Sequence, residues 1–121
     1  MKFSGICLVT EDVSALVHYY GRIFAAEAEG DDVHAEFHVG GLDLAIFSRV
    51  GMEQMAPGSM RGAGSGNVTI AFEVQDVDAE YRRLSEMGIE MVKPPQTHPW
   101  GARAFWFRDP DGNIVDFFSR V

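Results

Sequence analysis

The chain states one pattern twice, and this constrains its fold more than any other feature. Asp12-Val13-Ser14-Ala15 follows an apolar stretch, and Asp76-Val77-Asp78-Ala79 follows another, 64 residues later. Gly41-Leu42-Asp43-Leu44-Ala45-Ile46-Phe47-Ser48 is echoed by Gly112-Asn113-Ile114-Val115-Asp116-Phe117-Phe118-Ser119 at an offset of 71. Two stretches with the same element order predict a duplicated supersecondary unit. In a chain of 121 residues neither half can bury a sizeable core alone, so the expectation is one domain, 1–121, with a shared core.

Each half reads as a βαβββ module, about 1–50 and 67–121. Phe3 to Thr10 is strand-like, Asp12 or Ser14 can cap a helix, and Leu16, Tyr20, Ile23 and Phe24 share one helical face. A second strand is expected near Ala25. Val33 to Val39 alternates apolar and polar residues, Gly40-Gly41 is a two-residue hairpin turn, and Leu42 to Ser48 returns. In the second module, Asn67 to Val74 is a strand, Asp76 caps a helix and Gly88 ends it. A short strand near Glu90 to Val92 precedes Pro94-Pro95, and Ala102 to Arg108 with Ile114 to Ser119 closes the unit. Between the modules, 51–66 carries five glycines, three methionines and a proline. It reads as too glycine-rich for regular structure: a linker or a flap over a site, with the linker favoured.

Parity separates a helix-packed face from an open one. A type I′ turn at Gly40-Gly41 pairs Val39 with Leu42, Phe37 with Leu44 and Ala35 with Ile46 on the packed face. His38 then opposes Asp43, Glu36 opposes Ala45 and His34 opposes Phe47 on the open face. A three-residue loop at Pro110-Asp111-Gly112 sets Phe107 against Val115 on the packed face and Trp106 against Asp116 on the open one. The rival register buries Trp106 and opens Phe105 and Phe107. In strand 67–74, Thr69, Ala71 and Glu73 are open.

The net charge of −8 and the lack of Lys/Arg clusters argue against nucleic acid and suit a cationic ligand, although solubility alone explains an acidic chain. Cys7 is the single cysteine, which excludes an internal disulfide; in an apolar strand it reads as packing. A reducing cytoplasm is the expected home. No signal peptide or transmembrane run is read, so no membrane partner is expected. Gly62 to Gly66 lacks the lysine and helix of a phosphate-binding loop.

Three segments carry a resemblance: the strand before Asp12-Val13-Ser14-Ala15, Ile70-Ala71-Phe72-Glu73-Val74 before Asp76-Val77, and Phe107-Arg108-Asp109-Pro110-Asp111-Gly112-Asn113. On these the whole chain resembles the vicinal oxygen chelate superfamily of glyoxalase I, extradiol dioxygenases and bleomycin-resistance proteins. Pro99-Trp100-Gly101-Ala102-Arg103 is similar to the bleomycin-resistance-like branch. The resemblance implies an α+β fold of paired βαβββ modules whose curled mixed sheets surround a cavity, usually in a dimer. It also implies a divalent ion held from the first and fourth strands of each module. Those positions here are Gly5, Ala45, Thr69 and Asp116, of which only Asp116 is a strong ligand, so no metal and no other cofactor is expected.

The leading reading is capture of a small aromatic or cationic molecule by a homodimeric, antibiotic-sequestering type of protein. Trp106 and Trp100 would stack on it, Phe47, Phe118 and Thr69 would line its site, and Asp116, Glu73, Glu36 and His38 would supply polarity. Catalytic residues are not identified, although Glu73 and Asp116 could form an acid–base pair. The alternative is a metal-dependent lyase, isomerase or dioxygenase of the same superfamily, with His34, Glu36, His38 and Asp43 as a relocated ligand set. A third reading is a protein-binding surface around Met52, Met55 and Met60.

Overall fold

A computed structural model describes residues 1–121 as an α+β protein with two four-stranded mixed sheets and three helices. Two compact units divide the chain, Met1–Gly64 and Ser65–Val121. The first contains β1 (Gly5–Thr10), α1 (Val13–Phe24), β2 (Glu29–Gly30), β3 (His34–Val39), β4 (Leu42–Ser48) and α2 (Arg49–Met55). Its sheet order is β1-β4-β3-β2, with β1 parallel to β4 and the other neighbours antiparallel. The second contains β5 (Thr69–Glu73), α3 (Val77–Glu86), β6 (Met91–His98), β7 (Ala102–Arg108) and β8 (Ile114–Arg120), in the equivalent order β5-β8-β7-β6.

The repeated Asp-Val motifs are helix starts. Asp12 accepts a hydrogen bond from the Ala15 N–H and Asp76 one from the Ala79 N–H, each 3.0 Å, which satisfies an otherwise orphaned first-turn donor. The helices then bury one face each. Leu16, Tyr20 and Ile23 pack with Phe37, Leu44 and Ile46 in the first unit, and Val77 and Leu84 belong with Phe105, Phe107 and Val115 to the core of the second.

The Gly40-Gly41 turn has both residues at positive φ, 59° and 83°, as a type I′ turn requires. The register that follows is Val39↔Leu42, Phe37↔Leu44 and His38↔Asp43. At the second hairpin the Asp109 N–H donates to the Asn113 carbonyl, closing a loop whose Gly112 sits at φ 91°. The buried Asp109 carboxylate accepts from the Asp111 N–H, the Asn113 N–H and the Asn113 side-chain amide, each at 2.9 Å. Asp109-Pro110-Asp111-Gly112-Asn113 is therefore a turn that holds the β7–β8 register.

Four expectations need correcting. The segment 51–66 is not without regular structure: α2 runs through Gly51 to Met55, capped by Ser48, whose hydroxyl accepts from the Gly51 N–H. Beyond it, Arg49 donates to the Met60 carbonyl at 2.9 Å and Glu53 accepts from the Gly58 and Met60 N–H groups, so the glycine-rich loop is tied to α2. The second strand is two residues at Glu29–Gly30, with no strand at Ala25, which instead ends α1 in the left-handed region at φ 50°. The strand near Glu90 to Val92 continues through Pro94-Pro95 to His98. It is an edge strand with register shifts, where prolines that cannot donate to a ladder are tolerated. Finally, Cys7 is exposed rather than packed.

Candidate functional site

The open face of the second unit is a set of cross-strand rows. Trp106 lies between Lys93 on β6 and Asp116 on β8, Ala104 is beside Phe118, and Ala102 lies between His98 and Arg120. Two alanines next to a tryptophan leave a depression in the sheet surface. The turn between β6 and β7 supplies one wall, where Trp100 stacks on His98 with ring centroids 4.2 Å apart and planes within 5°. The resulting cavity is about 360 Å³, the lower end of the range for small-molecule sites, and its lining includes His98, Trp100, Trp106, Asp116, Phe118 and Arg120.

Trp106 is 36% exposed, whereas Phe105 and Phe107 are fully buried, so the register that opens the two phenylalanines is excluded. Asp116 is the focus of the cavity. Its Oδ1 is buried and has no hydrogen-bond partner. Burial pushes the Asp116 carboxyl above the ordinary carboxylate range, against the opposing effects of the Lys93 charge, a hydrogen bond from Trp106 and the nearby His98. Buried polar atoms are almost always paired, so an orphan beside a cavity is a receptor for something that enters it.

Lys93 and His98 were not singled out from sequence. The Lys93 ammonium stands 4.6 Å from the centre of the Trp106 ring and donates to Nε2 of His98 at 2.7 Å. Arg120 approaches the Phe118 ring and has its guanidinium 3.4 Å from the exposed Glu73 carboxylate. Their signal was present in the alternation of β7 and β8, which places Arg120 in the same row as Ala102. For Lys93 and His98 the prolines of β6 concealed it.

Of the residues expected to form the site, Trp106, Trp100, Asp116 and Phe118 line this cavity, and Glu73 reaches it only through Arg120. Thr69 is exposed on β5 opposite Ile114 and is not part of the lining. Glu36, His38 and Phe47 belong to the first unit. There Phe47 flanks α2, with its ring so close to Gly51 that a Cβ at that glycine would lie 2.6 Å from it. His38 Nδ1 is 2.6 Å from Asp43 Oδ1, and this hydrogen bond is the main reason the imidazole pKa is raised. Ligand atoms of Glu36, His38 and Asp43 lie within 4.8 Å of one another, on a half-exposed surface, while His34 meets the Phe47 ring edge-on.

The four positions at which the family places its metal do not fit one. Gly5 and Ala45 carry no donor atom. A Cβ on Gly5 would collide with the carbonyl oxygen of its strand partner Asp43, so even a substituted side chain has no room there. Thr69 offers a neutral hydroxyl, and Asp116 alone falls short of the roughly three protein ligands a catalytic ion requires.

Similarities to known proteins agree with this architecture. The chain is 29% identical over 128 aligned residues to the uncharacterized protein YraH of Bacillus subtilis, with complete coverage of both. The crystal structure of a glyoxalase/bleomycin resistance protein/dioxygenase from Nocardioides superposes with a TM-score of 0.83 at 27% identity, covering 100% of this chain and 84% of that one. The fosfomycin resistance protein FosX of Listeria monocytogenes shares the fold, with a TM-score of 0.74 at 23% identity, covering 100% and 94%. The family model for the Glyoxalase/Bleomycin resistance protein/Dioxygenase superfamily matches residues 2–117, and the chain belongs to that family.

Proposed function

We propose that this protein captures a small planar aromatic molecule in the second-unit cavity, in the manner of the antibiotic-sequestering members of its superfamily, without the family's metal. One observation carries the reading: the unpartnered, buried Oδ1 of Asp116 lies beside the part-exposed indole of Trp106 in a cavity large enough for a two-ring compound. Trp106, Trp100 and Phe118 supply flat apolar surface, and Asp116 supplies the orienting hydrogen bond. A thermal-shift screen of aromatic metabolites and antibiotics tests it. At least one compound should raise Tm in the parent and fail to do so in Trp106→Ala. A screen without such a compound contradicts the reading.

The metal-dependent enzyme reading has one observation in its favour, the convergence of Glu36, His38 and Asp43. Exposed groups of this kind are commonly just the wet face of a sheet, and His38 and Asp43 already pair with each other, so binding remains the preferred function. Metal analysis of the purified protein separates the two, since stoichiometric ion lost in His38→Ala would favour the enzyme. The two units are further proposed to form a single domain that assembles as a homodimer, as the resemblance implies. A monomer in sedimentation equilibrium at micromolar concentration would contradict the dimer. No helix is long and apolar enough to cross a membrane.

A further inference from the structure

The polar groups of the cavity specify more than an aromatic ring. The face of Trp106 that would attract a cationic ligand already holds a cation, the chain's own Lys93 ammonium at 4.6 Å. A positively charged ligand stacked on that face would meet a like charge, and no carboxylate forms a salt bridge with Lys93 to relieve it. The hydrogen-bond partner of Lys93 is Nε2 of His98, a neutral acceptor when the ammonium donates, which puts the imidazole's own proton on Nδ1. This leaves the ammonium's charge uncompensated and two of its three donors available. Arg120 lines the far side of the same cavity, and its partner Glu73 is exposed and 3.4 Å away, so its charge is only partly answered. The one acid among the lining residues, Asp116, is itself favoured in its protonated form by burial. The ring platform is thus edged by two cations and by a carboxyl that can donate as well as accept.

We infer that the cavity binds a planar aromatic anion, its ring against Trp106 and Trp100, its charged group on Lys93 and Arg120, and a polar substituent against Asp116 Oδ1. This rests on the proposal that the cavity is an aromatic-capture site and gives that ligand its charge. The chemistry is that of an anionic oxygen cluster on a ring, which a carboxylate or a phosphate ester can equally supply.

Four probes that share one ring and differ in charge test it: 2-naphthoate, 2-naphthyl phosphate, 2-naphthamide and 2-naphthylmethylammonium. The chain has two tryptophans, so its two indole N–H resonances report directly on the cavity, and a Trp100→Phe variant assigns them. Titration should move the Trp106 resonance with the tighter of the two anions binding roughly tenfold more strongly than the amide, the scale of one hydrogen bond to a charged group. The ammonium probe should bind most weakly, and added salt should erode the preference for the anion. Whichever anion binds more tightly assigns the carboxylate or the phosphate. Lys93→Gln, with the spectrum of the folded parent, should reduce the anion to the affinity of the amide. If the amide or the ammonium matches the anions, or if the preference survives in both Lys93→Gln and Arg120→Gln, the inference is overturned while aromatic capture stands. If no probe moves the Trp106 resonance, both fall.

Discussion

Truncating Trp106 distinguishes a ligand platform from a core residue, and the structure gives the size of the effect. Trp106 is 36% exposed and Phe105, its neighbour on β7, is 0% exposed. Removing the indole uncovers roughly 100 Å² of apolar surface, worth about 2.5 kcal/mol at ~25 cal/mol per Å². The cation–π contact with Lys93 adds about 0.5–1 kcal/mol at a part-exposed site. No sealed void is created, because the cavity beside Trp106 merely widens, so the extra penalty that follows core truncation is absent. Trp106→Ala should therefore cost about 2–3 kcal/mol. Phe105→Ala strips ring contacts with Tyr81, Phe107 and Phe117 and leaves an enclosed hole, so it belongs in the upper part of the about 3–5 kcal/mol range for such changes. Urea denaturation of parent and both variants, compared at unchanged m-value, measures the difference. A Trp106→Ala loss equal to or greater than that of Phe105→Ala would refute the assignment of the open face. Once a ligand is found, the same variant should weaken its binding by about 1–3 kcal/mol.

Asp116→Asn should gain stability relative to the parent as pH rises from about 4 towards neutrality. The folded state keeps the Asp116 proton to a higher pH than the unfolded chain, so the parent loses stability through that window and asparagine does not; a pH-independent difference in urea melts would count against it. Asp109→Ala removes three accepted hydrogen bonds and leaves Asn113 buried without its partner, which should cost about 2–4 kcal/mol by thermal or urea denaturation. A loss below about 1 kcal/mol would mean the motif is not holding the turn. Gly5→Ala pushes a methyl group into the β4 backbone at Asp43 and should destabilise by about 1–3 kcal/mol, whereas a neutral result would show that β1 and β4 can separate there.

The register was legible where turn chemistry is stringent. Two glycines between alternating strands admit few hairpins, and Pro110-Asp111-Gly112 likewise admits few, so Trp106 and Asp116 could be paired from sequence alone. The same local rules misled where tertiary position overrode them. Pro94-Pro95 argues against a strand interior, yet on an edge the missing N–H groups face no partner, and β6 runs straight through. Discarding that strand also discarded Lys93 and His98. Gly51 and the glycines after it suggested irregular chain, although Ser48 is a sound helix cap and Gly51 is what the adjacent Phe47 ring requires. Glu36, His38, Phe47 and Thr69 were grouped with Trp106 because parity says which face a side chain is on, but not which residues of that face line one cavity.

The growth of the repeat offset from 64 to 71 accounts for the asymmetry of the two units. The starts of β1 and β5 are 64 residues apart, so the additional residues enter after the helix, where β2 has two residues and β6 has eight. An edge strand that long carries side chains to both ends of the neighbouring strand, and here it delivers Lys93 beside Trp106 and His98 beside Ala102. At the position equivalent to Asp116 the first unit has Ala45, and its two-residue edge strand cannot bring a comparable pair of cations alongside. The duplicated fold therefore provides the same open face twice, while the enlarged edge strand and the single acidic substitution give only the second face a polar, ligand-sized cavity. Shortening β6 would consequently remove the charge selectivity of that cavity before it removed the sheet beneath it, because β7 and β8 hold their register through their own hairpin.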